Sequence, residues 1–177
     1  HCFGCGTGGN VFNFLMRFKG ISFPDAVRLL GEKTGIPVER SHSGDGAGGS
    51  RAEILYAVNA AAAAFFEKCL HSDAGAQALR YLLGRKLTAA SLREFRIGYS
   101  PPSWDALLSH LRSQGFSTEH IEAAGLIVLR RSGRGHYDRF RNRVMFPIFD
   151  TIGRCVGFGG RALEHGAPEV PKYINTN

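Results

Sequence analysis

Apolar residues follow a helical period through the first 125 residues and then change to the shorter period of strands. Val11, Phe14, Leu15 and Phe18 share one helical face behind Asn10, a good N-cap, and Gly20 ends that helix. A second helix is predicted from about Phe23, with Ser22 before it, Pro24 in its first turn, Ala26, Val27 and Leu30 on one face, and Gly35 past its end. Ser50 and Glu53 form a capping box ahead of a stripe made by Ile54, Leu55, Val58, Ala62, Phe65, Phe66 and Cys69. Shorter helices are expected over Ala76 to Leu83, after a Thr88 cap, from Trp104 to Gln114 behind Ser103, and from Thr118 towards Gly125. From Leu126 onward, three segments rich in β-branched and aromatic residues, Leu126 to Leu129, Tyr137 to Ile148 and Arg154 to Phe158, are separated by glycine turns and predict an antiparallel meander. Helices first and strands afterwards make an α+β arrangement.

Composition divides the chain into three regions. Residues 1–40 hold two short helices, too little to bury a core without a partner or a metal. Residues 41–50 contain four glycines and no large apolar side chain, the composition of a flexible tether. Residues 51–177 carry the helical series and then the strands. The longest apolar run, Ala60 to Phe66, is seven residues, far short of the roughly 20 that span a membrane. Four cysteines are too few for a secreted disulfide scaffold, which points to a reducing, cytoplasmic setting. The chain opens on His1 and stops where a strand-like segment, Tyr173 to Asn177, is beginning, so a fragment of a longer protein is expected.

The net charge of +7 calls for an acidic partner. The excess is concentrated after residue 125, where nine basic residues, eight of them Arg, face four acidic ones. Arg139, Arg141 and Arg143 alternate, which on an extended strand would set guanidinium groups roughly 7 Å apart on one face, with Phe140 turned into the core. Such spacing suits the phosphates of a stretched single strand, and a solvated strand face is the plainer alternative. Gly157-Phe158-Gly159-Gly160-Arg161 lacks Walker spacing, so its glycines are expected to admit a template or to bend a strand, with Arg161 directed to phosphate. Lys172 suits a phosphate contact, and Tyr173 suits either a stacking platform or a core position.

Cys2 and Cys5 form half of a tetrahedral zinc site. No second pair with ligand spacing follows. Cys69 and Cys155 fall within apolar patterns, and His1, His42 and His71 stand alone. A redox Cys-x-x-Cys is the rival reading, although a glycine run separates these cysteines from the next helix.

Three blocks of sequence together resemble one family. His1 to Gly6 with Gly8 to Met16 is similar to the second half of the zinc-binding domain of bacterial replicative DNA primases of the DnaG type. Tyr81-Leu82, Arg85, Leu87, Phe95 to Tyr99 and Pro101 to Trp104 resemble the start of that family's RNA polymerase core. Tyr137 to Ile148, Gly153-Arg154, Gly157 to Arg161 and Pro171 to Asn175 continue the likeness. The resemblance implies synthesis of RNA primers on single-stranded DNA, with Arg85, Arg139, Arg141, Arg143, Arg161, Lys172 and Tyr173 on the template. It implies Zn2+ held by Cys2, Cys5 and an upstream Cys and His that this chain lacks. It also implies Mg2+ bound by an acidic subdomain beyond Asn177, a replicative helicase bound through a C-terminal domain, a monomer, and a place at the replication fork in the nucleoid. Cys155 departs from the family in standing where an aliphatic residue is usual, and Thr176-Asn177 departs after Asn175. A noncatalytic single-strand-binding or zinc-ribbon adaptor is the alternative from another class.

Overall fold

The computed structural model describes Gly4, Gly6 and residues 8–38, 47–163 and 170–176, with side chains described from residue 51 in the first long helix. Cys2, Cys5, His1, His42 and most of the expected tether lie outside the described residues. The chain divides into two compact units, His1–Asp45 and Gly46–Asn177.

The first unit contains α1 (Val11–Lys19) and α2 (Phe23–Thr34). The Asn10 side chain accepts the Asn13 N–H at 3.1 Å, and Gly20 closes α1 in the left-handed region at φ 64°. Ser22 caps α2: its hydroxyl accepts the Asp25 N–H at 3.4 Å and donates to the Asp25 carboxylate at 2.7 Å. The apolar face of α1 stays largely open. Phe14 and Phe18 are exposed and stacked on one another, with ring centroids 5.4 Å apart.

The second unit begins with α3 (Ala47–Leu70). Helix α3 starts three residues before the Ser50 capping box and takes in part of the expected tether. Once a packed stripe has nucleated a helix, extension needs no new nucleus and no proline blocks it, although Gly48 and Gly49 are poor helix formers. A single 3-10 turn (Asp73–Gly75) leads to α4 (Ala76–Gly84), α5 (Ala89–Glu94), β1 (Gly98–Ser100), α6 (Ala106–Ser113) and α7 (Thr118–Ala123). A hairpin of β2 (Ile127–Leu129) and β3 (His136–Asp138) follows, then β4 (Arg143–Phe149), β5 (Cys155–Ala162) and β6 (Tyr173–Asn175). The mixed helix and antiparallel sheet arrangement is the α+β class expected.

Strands β1, β4, β5 and β6 form one antiparallel sheet in the order β1-β4-β5-β6, and β2-β3 stands as a separate ribbon. The sheet lies between two apolar layers. On one face Met145 and Phe158 meet Val58, Ala62 and Phe66 of α3 and Leu107 and Leu111 of α6. On the other, Tyr99 and Val144 meet Leu70, Leu82, Leu92 and Ile97. Helix α3 approaches β1 so closely that a Cβ on Gly98 would lie 2.5 Å from the Phe66 Cβ. Only glycine fits there.

One cap differs from expectation and one was not foreseen. Helix α7 starts at Thr118 as expected, and Ser117 supplies its cap, its side chain accepting the His120 N–H. Helix α6 starts at Ala106 and is capped from a distance: the buried Asp138 carboxylate accepts the Leu107 N–H at 2.8 Å and the Leu108 N–H at 3.0 Å. A residue on β3 thereby does the work expected of Ser103.

Candidate nucleic-acid interface

Antiparallel register aligns side chains across the sheet. Tyr99 pairs with Val144, Val144 with Arg161, and Arg161 with Tyr173, so these four share one face in a row. The row runs from buried β1 to β6, the last strand of the sheet among the described residues, where Tyr173 is 60% exposed. Tyr173 is therefore a surface residue and no part of the core.

Arg161 is held in place by a side chain outside the sheet. Its guanidinium carbon lies 4.5 Å from the ring centroid of Tyr81 on α4, a cation-π contact. One of its guanidinium nitrogens is buried with no hydrogen-bond partner among the described residues. Arg85 follows Tyr81 by one helical turn at the C-cap of α4 and is exposed. The Lys172 ammonium sits 5.8 Å from the Tyr173 ring centroid. Arg85, Arg161, Lys172 and Tyr173 are thus carried by α4, β5 and the entry to β6. Tyr81 is the residue the sequence reading left out of the site, and its position one turn before Arg85 was the available signal.

The alternating arginines do not form a ladder. Residues 139–142 are not a strand, and Asn142 takes a left-handed conformation at φ 51°, a region asparagine tolerates better than most residues. The chain therefore turns between Arg141 and Arg143. Arg143 is 5% exposed, and its guanidinium donates to the carbonyls of Gly160 at 3.2 Å, Lys172 at 3.4 Å and Pro171 at 2.9 Å. Burial, with a smaller contribution from Arg141, pulls its pKa below the ordinary arginine value. These bonds tie β5 to the approach of β6 at Pro171 and Lys172. Arg141 instead donates to the Asp138 carbonyl and packs over Trp104 and Tyr137. Arg139 is half-buried, its N–H donating to the Leu126 carbonyl at 2.9 Å. Phe140 is buried as expected.

The glycines of β5 serve packing. A Cβ on Gly160 would meet the Phe140 ring at 2.6 Å and the Arg143 side chain at 3.2 Å, one on Gly159 would meet Asn175, and one on Gly157 would meet Thr176. Their lack of side chains admits neighbours within the domain rather than a template. Cys155 is buried and Cys69 half-buried, and burial pushes both thiols up. Among the described residues no group of three or more His, Cys, Asp and Glu is placed to hold a metal. No described helix is long and apolar enough to cross a membrane.

Two family models match the chain: the CHC2 zinc finger over residues 1–45 and the DNA primase catalytic core, N-terminal domain, over residues 65–177. The DNA primase of Mycobacterium tuberculosis is 43% identical over 182 residues, covering 99% of this chain and 28% of that protein. The DNA primase of Synechococcus elongatus is 43% identical over 99% of this chain and 26% of its own length. The chain therefore spans little more than a quarter of these relatives. Among solved structures, the RNA polymerase domain of M. tuberculosis primase DnaG in complex with a double-stranded DNA oligomer with a 6-nucleotide overhang matches with TM-score 0.66 and 44% identity, over 71% of this chain and 38% of that one. A DnaG primase catalytic domain bound to ssDNA matches with TM-score 0.64 and 36% identity, over 73% and 40%. The zinc-binding and RNA polymerase domains of the Aquifex aeolicus primase match with TM-score 0.62 and 27% identity, over 99% and 40%.

Proposed function

The chain belongs to the DNA primase family, and from that premise we propose that it handles single-stranded template for an enzyme that makes RNA primers for DNA replication. The carrying observation is the row that ends in Arg161 and Tyr173. It sets a guanidinium, an ammonium and an exposed aromatic ring together at β6. Arg161, Lys172 and Arg85 take phosphates, and Tyr173 stacks a base. The Tyr81 ring packs against the Arg161 guanidinium, and Arg143 donates to the Pro171 and Lys172 carbonyls. Likeness to a catalytic domain bound to ssDNA supports the reading. A noncatalytic adaptor is not favoured, because the core-domain match runs over residues 65–177.

Cys2 and Cys5 suit zinc by their chemistry, two soft thiolates on a Cys-x-x-Cys turn, and would hold the ion with two further ligands. Zinc bound there supplies folding free energy to a unit whose helix α1 buries no residue. We assign the catalytic Mg2+, the helicase contact and nucleotidyl transfer to the remaining length of the enzyme, and place a monomeric protein in the cytoplasm at the replication fork.

Fluorescence anisotropy of a labelled mixed-sequence oligonucleotide tests template binding. Arg161→Ala and Lys172→Ala should each weaken binding to all sequences alike and each lower the log-log salt slope by about 0.7. Tyr173→Ala should weaken binding at an unchanged slope. A double Arg161→Ala, Lys172→Ala variant that binds as the parent does would overturn the assignment.

A further inference from the structure

Strand β6 is short, and its hold on the sheet decides where Lys172 and Tyr173 stand. It spans three residues and comes last in the sheet, beside β5, among the described residues. A strand of that length opens readily unless something beyond its own ladder fastens it. At its start, the Ala162 N–H donates to the Lys172 carbonyl at 3.0 Å, and Arg143 donates to the carbonyls of Pro171 and Lys172. At its far end the ladder changes chemistry. The Thr176 N–H donates to the Phe158 carbonyl at 2.9 Å, as one half of an antiparallel pair. The other half uses a side chain: the Phe158 N–H donates to the Thr176 hydroxyl oxygen at 3.0 Å, and the hydroxyl donates to the Phe158 carbonyl at 3.5 Å. Space for this hydroxyl comes from Gly157. A Cβ on Gly157 would overlap the Thr176 hydroxyl, yet would stand 3.7 Å from the Thr176 Cβ, an ordinary contact.

We propose that Thr176, seated over Gly157, is a positioning residue for the nucleic-acid site: it fastens the far end of β6 and so keeps Lys172 and Tyr173 in line with Arg161. The inference rests on the template-binding reading and adds to it a residue that acts through the strand. Tyr173 stands opposite Arg161 and Thr176 opposite Phe158, three residues further along, about 10 Å of extended chain. Fastened at both ends, the segment between has one register against β5. Fastened only at Lys172, it opens from the Thr176 end, and the Tyr173 ring leaves the row that Arg161 continues. The affinity of a site falls by the fraction of molecules that present it assembled. Thr176 carries no charge, so its loss removes no phosphate contact and the effect on binding is separable from that of the basic residues.

A labelled mixed-sequence oligonucleotide is titrated, by anisotropy, with the 177-residue chain and with its Thr176→Ala, Gly157→Ala and combined variants. A hydrogen bond of ordinary net strength is worth about tenfold in an equilibrium, so Thr176→Ala should weaken binding by about threefold to tenfold at an unchanged salt slope. Thr176→Ser keeps the hydroxyl and should bind within about twofold of the parent. Gly157→Ala should weaken binding comparably by displacing the hydroxyl. In the Thr176→Ala background that same change meets no hydroxyl, so the two losses should not multiply. Hydrogen exchange across residues 172–176, read by mass spectrometry without oligonucleotide, should quicken in both single variants while exchange in β4 stays as in the parent. Thr176→Ala that binds within about twofold of the parent overturns the positioning role and leaves the template site standing. Losses that multiply in the combined variant, or exchange that quickens equally in β4 and β6, do the same. A parent chain that binds no oligonucleotide overturns both readings.

Discussion

Removing the Asp138 carboxylate should unfasten α6 from the strands. The side chain is 2% exposed and accepts two N–H groups at the start of a helix 30 residues away, while its own N–H donates to the Trp104 carbonyl at 2.7 Å. In Asp138→Ala both N–H groups lose their acceptor. Hydrogen bonds to a charged acceptor are worth about 1.5–3 kcal/mol each, and relief from burying the carboxylate offsets part of that, leaving a net cost of about 3 kcal/mol. For a unit of this size that corresponds to a fall in Tm of about 10 °C. Asp138→Asn keeps the shape and one acceptor, so about half the cost is expected. The pH dependence follows from the direction of the pKa shift. Burial raises the Asp138 carboxyl above its usual value more than the Leu107 and Leu108 N–H groups lower it, with Asp105 adding to the rise. The folded state thus holds this proton more tightly than the unfolded chain, and stability from this group is full below about pH 4 and declines as pH rises through the raised value. The advantage of the parent over Asp138→Asn should be larger at pH 3.5 than at pH 7. Urea unfolding monitored by circular dichroism measures both. An Asp138→Ala midpoint within about 0.5 kcal/mol of the parent would refute the capping argument.

Gly98→Ala should cost about 2–3 kcal/mol in the same assay, since the new Cβ would lie 2.5 Å from the Phe66 Cβ and 2.6 Å from its carbonyl carbon, and a cost below about 0.5 kcal/mol would show that α3 can move away. Arg143→Ala should destabilise by about 3 kcal/mol, because three carbonyls lose a buried donor, while the salt slope of oligonucleotide binding stays unchanged; a slope lower by about 0.7 in a folded variant would return Arg143 to the template. Asp150 sits below the usual carboxylate range although partial burial opposes this, because the Arg154 side chain and the Arg154 and Ile152 N–H groups bond its ionised form. Its contribution is full above about pH 4 and is lost as pH falls through the lowered value, so Asp150→Asn should flatten the acid limb of a stability profile and leave the limb above pH 6 unchanged.

Local signals in the sequence were read well where the chain closes its own contacts. Asn10, Ser22 and Thr88 cap the helices they precede because each acceptor lies three residues from its donor. Tertiary contacts set the rest. Ser103 yields to Asp138 at α6 because β3 brings a carboxylate there, which no window around Ser103 contains. Arg139, Arg141 and Arg143 read as a ladder because period-two spacing assumes one continuous strand, and the left-handed Asn142 breaks it. The short β1 was not anticipated, as three residues show too little alternation, yet it supplies the edge against which Val144 pairs. Arg161, Lys172 and Tyr173 could be chosen by residue chemistry, but their alignment needed the register of β5 with β6. Tyr81 stands one helical turn before Arg85 in the sequence, but its contact with Arg161 depends on how α4 packs against β5.

A template strand running along β6 should be trapped there by photo-crosslinking. A single-stranded oligonucleotide carrying 5-bromodeoxyuridine at successive positions is irradiated with the 177-residue chain, and the attached peptides are mapped by mass spectrometry. Attachment at Tyr173 is expected, reduced when Arg161→Ala and Lys172→Ala are combined and competed by unlabelled single strand. Attachment confined to the exposed side of α3, with none at Tyr173 under saturating oligonucleotide, would contradict it.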